Sequence, residues 1–200
     1  MNFITGGTYS VFIRRVVRDM AIQPGDAILD LGSGSGRNTC LMVRYLSGGG
    51  RIVGLDIGPE MLKQAQRRCA PLPNVSIEKQ RIEEPLRYRD EFDKVFMCFV
   101  LHGFVHEDRL RIVENAYRAL RPGGRFLILD YSEFEPEKSF WPVRFAFRHM
   151  ECPLATDFVR HDWRAILREG GFDDFRERRY YLGYVRLLGA RKPDEAAERA

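Results

Sequence analysis

Short apolar runs alternate with helix-like segments through residues 27–130, and this alternation is the strongest constraint on the fold of the 200-residue chain. The runs are bounded by Gly, Pro or Asp and have the length of strands buried on both faces. They cover residues 27–31, 51–55, 75–78, 94–99 and 125–130. Apolar residues recur at helical spacing in the segments between them, at 37–46, 60–69 and 107–120. Strand–helix alternation predicts an α/β fold, a doubly wound Rossmann-like sheet with right-handed crossovers.

The flanking segments complete the predicted organisation. A helix over 8–21 precedes the first strand, and an aromatic-rich segment over 134–157 follows the fifth. We predict a helix near 158–169 and then two strand-like runs, 172–180 and 181–190, joined with hardly any spacer as in a hairpin. Residues 1–190 are expected to form a single domain, and residues 191–200 a solvated tail.

The stretch "ILDLGSGSGRNT", residues 28–39, places three glycines directly after the first predicted strand. Ligands of open α/β sheets bind beyond the carboxyl ends of the strands, and glycine lets a ligand approach the backbone closely. A dinucleotide-binding turn needs G-x-G-x-x-G, but position 37 is Arg. A phosphate-binding loop needs a Lys after its last glycine, and none follows here.

Two acidic residues at strand ends narrow the class of ligand. Asp30, just before the glycines, would repel a pyrophosphate and attract a cationic amino group. Asp56 ends the second strand, where a carboxylate can accept both hydroxyls of a ribose. A ligand with a ribose, a cationic amino acid end and no phosphate is S-adenosylmethionine.

Four motifs in order support this interpretation: "LDLGSGSG", "VGLDIGPEML", "FDKVFMCFVLHGF" and "ALRPGGRFLILDYS". They resemble the successive motifs of class I S-adenosylmethionine-dependent methyltransferases, and most closely the ubiquinone/menaquinone-biosynthesis (UbiE-like) subgroup. The resemblance covers roughly residues 25–133, and the closing stretch 163–193 is similar to the last helix and hairpin of that subgroup. It implies a seven-stranded sheet of order 3-2-1-4-5-7-6 with the last strand antiparallel.

The resemblance also implies site residues. The predicted cofactor-binding residues are Asp30, Gly32, Ser33, Gly34 and Gly36 at the methionine moiety, Asp56 at the ribose, Ile57, Met61 and Ile82 at the adenine, Cys98 and Phe99 beside the reacting methyl, and Tyr9 as part of a lid. Tyr9 could equally be an ordinary core-packing tyrosine.

One position departs from the family's pattern. After the third strand the family usually has an Asp that accepts the adenine amino group, whereas "KQRIEEPL" places Arg81 there. Arginine has five donors and no acceptor. Ile82 can still offer its backbone N–H, and Glu83 or a backbone carbonyl could accept.

His102, just past the fourth strand, is the candidate general base. A phenol or enol acceptor must lose a proton during methyl transfer, and imidazole titrates near neutrality. The alternative is a histidine that only caps or packs its helix. We expect no metal ion, because no Asp/Glu cluster with magnesium-site character is evident.

The segment "SFWPVRFAFRHM", residues 139–150, predicts a cover for the acceptor. Phe140, Trp141 and Phe145 are the candidate acceptor-site residues, since aromatic rings bury flat apolar ligands. A short helix packed on the core is the alternative. Arg144 and Arg148, placed on the opposite face, could meet an anionic membrane surface or a substrate carboxylate.

These observations favour transfer of a methyl group to a small, lipophilic or aromatic, quinone-like molecule. Alternatives are a phospholipid-amine or other N-methyltransferase, and a non-catalytic S-adenosylmethionine-binding module. A net charge of +4 alone does not indicate nucleic acid as partner, and none is expected. The sequence shows no signal peptide or spanning segment, so a cytoplasmic protein is expected. Peripheral membrane contact stays open, as does the choice between monomer and homodimer.

Overall fold

Seven strands form one sheet in this computed structural model, which describes residues 9–149 and 151–194. They are β1 (Ala27–Leu31), β2 (Arg51–Asp56), β3 (Val75–Lys79), β4 (Phe92–Cys98), β5 (Leu120–Tyr131), β6 (Asp173–Tyr180) and β7 (Val185–Arg191). The strand order is β3-β2-β1-β4-β5-β7-β6. The predicted α/β class and strand order are therefore confirmed. The chain divides into two compact units at the Arg81–Ile82 bond.

The first unit is built on three parallel strands. β1 pairs with β2, and β2 with β3. Every residue of β1 is buried, as the continuous apolar run predicts for a strand covered on both faces. The helices of this unit are α1 (Tyr9–Asp19), α2 (Arg37–Met42) and α3 (Pro59–Cys69). Pro59 starts α3 at the position where a missing N–H costs nothing.

The second unit contains the antiparallel edge. β4 runs parallel to β5, and β7 runs antiparallel to both β5 and β6, as predicted. Its helices are α4 (His106–Ala119), α5 (Trp141–His149), α6 (Pro153–Phe158) and α7 (Trp163–Glu169). The predicted cover segment, residues 134–157, thus contributes α5 and most of α6.

The helix predicted near 158–169 is present, but it begins only at Trp163, and Phe158 ends the preceding helix. Asp162 caps a new helix at Trp163, because its side chain accepts a hydrogen bond from the Ala165 N–H at 3.0 Å. The Trp163 indole N–H donates to the Phe158 carbonyl at 2.9 Å, which fixes the turn between α6 and α7.

The junction between the last two strands is longer than predicted. Tyr181, Leu182 and Gly183 form a turn with φ of 48°, 56° and 92°, and β7 begins only at Val185. Left-handed residues end an extended strand, so residues 181–183 cannot belong to β7, and Tyr184 follows them with a helical backbone. The predicted tail starts inside β7, which ends at Arg191, and residues 195–200 lie outside the described part. The single domain over 1–190 stays a prediction.

Candidate active site

The glycine turn between β1 and α2 has a left-handed backbone at each glycine. Gly32, Gly34 and Gly36 have φ of 73°, 54° and 72°, a region that residues with a side chain rarely adopt. A Cβ at Gly34 would meet no atom within 4 Å, so this position is open to a ligand. A Cβ at Gly36 would lie 3.1 Å from the Cα of Ala65, so this glycine also lets α2 start directly against α3.

Asp56 at the end of β2 organises this turn. One carboxylate oxygen accepts the Gly34 N–H and the other accepts the Gly58 N–H, each at 2.8 Å. The sequence did not reveal this role, because Gly34 lies 22 residues away along the chain. Ile57 and Met61, which follow Asp56, are both exposed despite being apolar. This strand end therefore presents a carboxylate beside an apolar surface.

Asp30 is buried in β1 and titrates far from its ordinary range. Burial raises the pKa of its carboxyl from 3.8 to about 7, a hydrogen bond from the Thr39 hydroxyl at 2.7 Å opposes this shift, and the negative charge of Asp56 adds to it. A cation bound next to Asp30 would favour the ionised form.

This pKa gives a testable pH dependence. The folded protein holds a proton on Asp30 that the unfolded chain releases near pH 4, so folding stability falls as pH rises from about 4 to about 7. The full effect is on the order of a few kcal/mol. Asp30→Asn, which keeps a Thr39 partner, is expected to remove this slope in urea unfolding at pH 5 and pH 8. An unchanged slope would show that another group titrates.

Two further predicted residues flank the glycine turn. The Ser33 hydroxyl is buried and has no hydrogen-bond partner among the described residues, so a ligand could satisfy it. The Tyr9 ring lies 5.0 Å from the guanidinium carbon of Arg37, the first residue of α2. Tyr9 also contacts Phe12 of the same helix, with ring centroids 6.2 Å apart, and its role in a lid stays a prediction.

In the second unit, the loop after Arg81 is fixed by a buried amide that the sequence analysis missed. The Asn115 side chain in α4 donates to the carbonyls of Ile82 and Glu84 at 2.9 and 2.7 Å. Ile82 is buried. The sequence signal for this contact was Asn115 itself, a polar residue in the apolar stripe of the helix predicted over 107–120. Arg81 itself is exposed. Nothing in the structure explains why arginine stands where the family usually has an aspartate.

The end of β4 carries two predicted cofactor residues and a strained backbone. Cys98 is the last residue of the strand and is half-buried. Phe99 follows with φ of 54°, held by a hydrogen bond from its N–H to the Leu129 carbonyl at 2.8 Å. A bulky residue with positive φ is uncommon and is concentrated at functional sites.

His102 lies in a short 3-10 turn after β4 and is paired with Asp130 on β5. The imidazole Nδ1 is 2.7 Å from one Asp130 oxygen, and the other accepts the His102 backbone N–H at 3.2 Å. The His102 side chain is 17% exposed and that of Asp130 only 2%. With the carboxylate as acceptor, the proton sits on Nδ1 and Nε2 is left as the basic atom.

Nearby charges set the pKa of the His102 imidazole, and neighbouring rings surround it. Burial lowers the His102 pKa, but the charge and hydrogen bond of Asp130 outweigh it, so the pKa is raised above 6.5. Tyr131 lies 5.1 Å away and Phe158 6.4 Å away between ring centroids, and Phe99 contacts Tyr131 at 5.9 Å. The His102 imidazole therefore lies in an aromatic and mostly buried environment.

The predicted acceptor-site rings are exposed. Phe140, Trp141 and Phe145 are 58%, 65% and 55% exposed. Their acceptor role stays a prediction. Arg144 and Arg148 are exposed on the same side of α5 as Trp141, so their expected position on the opposite face is wrong. The i, i+3, i+4, i+7 spacing places these residues in one stripe.

No metal-binding group of three or more His, Cys, Asp or Glu side chains is found within residues 9–149 and 151–194. Likewise, no helix in this part of the chain is both long and apolar enough to cross a bilayer.

Comparison with known proteins agrees with this geometry. A family model described as a methyltransferase domain matches residues 28–124. An uncharacterized methyltransferase of Synechocystis sp. is 29% identical over 88% of this chain and 80% of its own length. The ubiquinone/menaquinone biosynthesis C-methyltransferase of Methylococcus capsulatus is 30% identical over 62% of this chain and 51% of its own length. A solved S-adenosylmethionine-dependent methyltransferase from Aquifex aeolicus has the same fold, with 22% identity, a TM-score of 0.68 and coverage of 90% of this chain and 89% of its own.

The chain thus contains a match to a methyltransferase domain, and its predicted resemblance to class I S-adenosylmethionine-dependent methyltransferases close to the UbiE-like subgroup is confirmed. It spans about half the length of the ubiquinone/menaquinone relatives that it matches.

Proposed function

We propose that this chain methylates a small, lipophilic, quinone-like acceptor whose hydroxyl must lose a proton, and that His102 takes that proton. The His102–Asp130 pair is the observation on which this proposal rests. A carboxylate on Nδ1 fixes the tautomer, orients the ring and stabilises the imidazolium that forms.

The proposed cofactor residues of the first unit fit S-adenosylmethionine in charge. Asp30 would pair with its cationic amino end. An ionised carboxylate is costly to bury alone, and the bound cation would compensate that cost. Each Asp56 oxygen accepts one N–H and keeps a second lone pair for a ribose hydroxyl. Ile57 and Met61 offer apolar contact to the adenine. In the second unit, Ile82, Cys98 and Phe99 stay proposed cofactor residues.

In the proposed reaction the protein aligns the two reactants and accepts one proton. S-adenosylmethionine supplies an electrophilic methyl group on a sulfonium centre. The aromatic neighbours of His102 exclude water, which keeps the nucleophile desolvated. His102 Nε2 accepts the acceptor's proton, and Asp130 holds the imidazole in place throughout. Positioning of the two reactants supplies up to about 7–11 kcal/mol of the barrier reduction.

Two observations favour a planar, apolar acceptor over a phospholipid amine. The rings nearest the base, Tyr131 and Phe158, make its surroundings aromatic and apolar, which suits an apolar acceptor better than a charged lipid headgroup. Relatives with 29–30% identity are named for methylation in ubiquinone and menaquinone biosynthesis.

Methyl transfer from radiolabelled S-adenosylmethionine tests the proposal. The purified chain is offered a reduced quinone precursor (a quinol lacking one ring methyl), phosphatidylethanolamine and bulk RNA in separate reactions. We expect label only in the quinol-type product, with mass spectrometry locating the methyl on carbon or oxygen. EDTA is expected to leave the rate unchanged.

Label in the phospholipid headgroup or in RNA would contradict the acceptor class. Tight binding of S-adenosylhomocysteine by calorimetry without transfer to any acceptor of a phenol and quinol panel would instead indicate a binding module. Binding of NAD more tightly than S-adenosylhomocysteine would contradict the assignment of the first-unit residues to this cofactor.

A further inference from the structure

The helix α5 divides sharply into an inner and an outer face. On the inner face, Phe147 is buried and packs on the rings of Tyr131 and Phe134, with centroids 5.1 and 5.0 Å away. The start of the helix is also tied to the turn before β7, because the Phe140 N–H donates to the Tyr184 hydroxyl at 3.2 Å. The inner face therefore anchors α5 firmly to the second unit.

The outer face presents a stripe that combines large rings with cations. We define the outer stripe as Trp141, Arg144, Phe145 and Arg148, with Phe140 at its start. All five side chains are exposed. Phe140 contacts Trp141, and Phe145 contacts His149, but all three rings stay more than half exposed in the described part of the chain. Clustered exposed apolar groups on a folded protein mark an interaction site.

Charge limits what can cover this stripe. From residue 138 to residue 149 the chain has Lys138, Arg144 and Arg148 and no Asp or Glu. Two copies of the chain facing each other through this stripe would bring arginine against arginine, which disfavours self-association. The partner of the outer stripe must therefore have a surface that is anionic and that can also receive aromatic rings.

We propose that the outer stripe of α5 docks this protein on the surface of an anionic phospholipid bilayer. Tryptophan and phenylalanine insert at the level between headgroups and acyl chains. Arginine stems can lie along the same apolar layer while the guanidinium groups bind lipid phosphates. The helix would lie in the plane of the interface, since it is too short to span it. This inference rests on the surface alone and holds whether or not the acceptor is lipophilic.

The chain contains a built-in probe for this contact. Its two tryptophans are Trp141, which is 65% exposed, and Trp163, which is buried. Vesicles of phosphatidylcholine with 30% phosphatidylglycerol, a fraction of about one third chosen to give a strongly negative surface, are expected to bind the protein and shift its emission to the blue. Pure phosphatidylcholine vesicles are expected to bind far less, and salt is expected to weaken binding to the anionic ones. Trp141→Phe is expected to abolish the emission shift.

Sedimentation with the same anionic vesicles compares two charge reversals of equal size. Arg144→Glu/Arg148→Glu is expected to lower the partition coefficient tenfold or more, on the order expected for reversing two surface cations. The matched control is Lys63→Glu/Arg67→Glu, at two exposed positions of α3 that are also one helical turn apart. The control is expected to bind like the wild type. Circular dichroism verifies that all variants fold.

Three outcomes would overturn the proposal. The first is no binding to anionic vesicles by the folded wild type. The second is an equal loss in both charge-reversal variants, which would show attraction by net charge alone. The third is a dimer in solution that Trp141→Ser dissociates, which would make a second copy the occupant of the stripe.

Discussion

Asp56→Ala is expected to weaken binding of S-adenosylhomocysteine at least tenfold in calorimetry. Hydrogen bonds to a charged group contribute about 1.5–3 kcal/mol each, and the substitution removes the proposed ribose contact. It also leaves the N–H groups of Gly34 and Gly58 without their acceptor, so the glycine turn loses its support. A lower melting temperature of the ligand-free protein is therefore expected together with the loss of affinity.

The matched control for this experiment is Glu60→Ala. Glu60 is exposed in the first turn of α3, four residues from Asp56, and its substitution removes the same charge. We expect its Kd to equal that of the wild type. If Asp56→Ala retained wild-type affinity, the ribose would have to bind at another strand end.

The second large effect concerns the base. His102→Gln is expected to lower kcat for a phenol or quinol acceptor by about 10²–10⁴-fold, the usual contribution of a positioned proton acceptor. Affinity for S-adenosylhomocysteine is expected to stay unchanged. His161→Gln is the matched control, because His161 also faces a carboxylate of the second unit, Asp157, at 3.3 Å. Equal rates for His102→Gln and the wild type would assign His102 a purely structural role.

Asp130→Asn tests how Asp130 positions that base. Only unprotonated His102 can accept a proton, so kcat is expected to rise with pH through the His102 pKa, which lies above 6.5. Asp130 raises that pKa, and its removal is expected to move the acidic limb of the profile to lower pH while lowering the plateau. A lower plateau with an unmoved limb would show that Asp130 acts only on the fold.

The sequence predicted those features that depend on short stretches of neighbouring residues. The strands themselves followed from apolar runs, whereas their order was implied by the resemblance to the family. Asp30 and Asp56 were found because each ends or nearly ends a buried run. The turn at Tyr181–Gly183 was missed because its left-handed residues include Tyr181 and Leu182, which are poor left-handed formers. Local propensity does not predict a conformation that the neighbouring strands impose.

The contacts that define the candidate base could not be read from the sequence. His102 and Asp130 are 28 residues apart, and they meet because β4 and β5 pair in the register Cys98↔Leu129. A shift of one residue would turn Asp130 to the other face of the sheet. The position of Arg144 and Arg148 on α5 was predicted wrongly, although the helical period alone places both in one stripe with Trp141.

The carboxylate of Asp56 has a consequence for how fast a ligand can be captured. A turn with three glycines would ordinarily sample many backbone states, and a ligand would have to order it at an entropic cost. Here the Gly34 and Gly58 N–H groups are held at 2.8 Å by a side chain of the protein itself, the Asp56 carboxylate. The turn is thus preorganised, so association should need no slow rearrangement of this loop, and affinity differences among cofactor analogues should appear mainly in their dissociation rates.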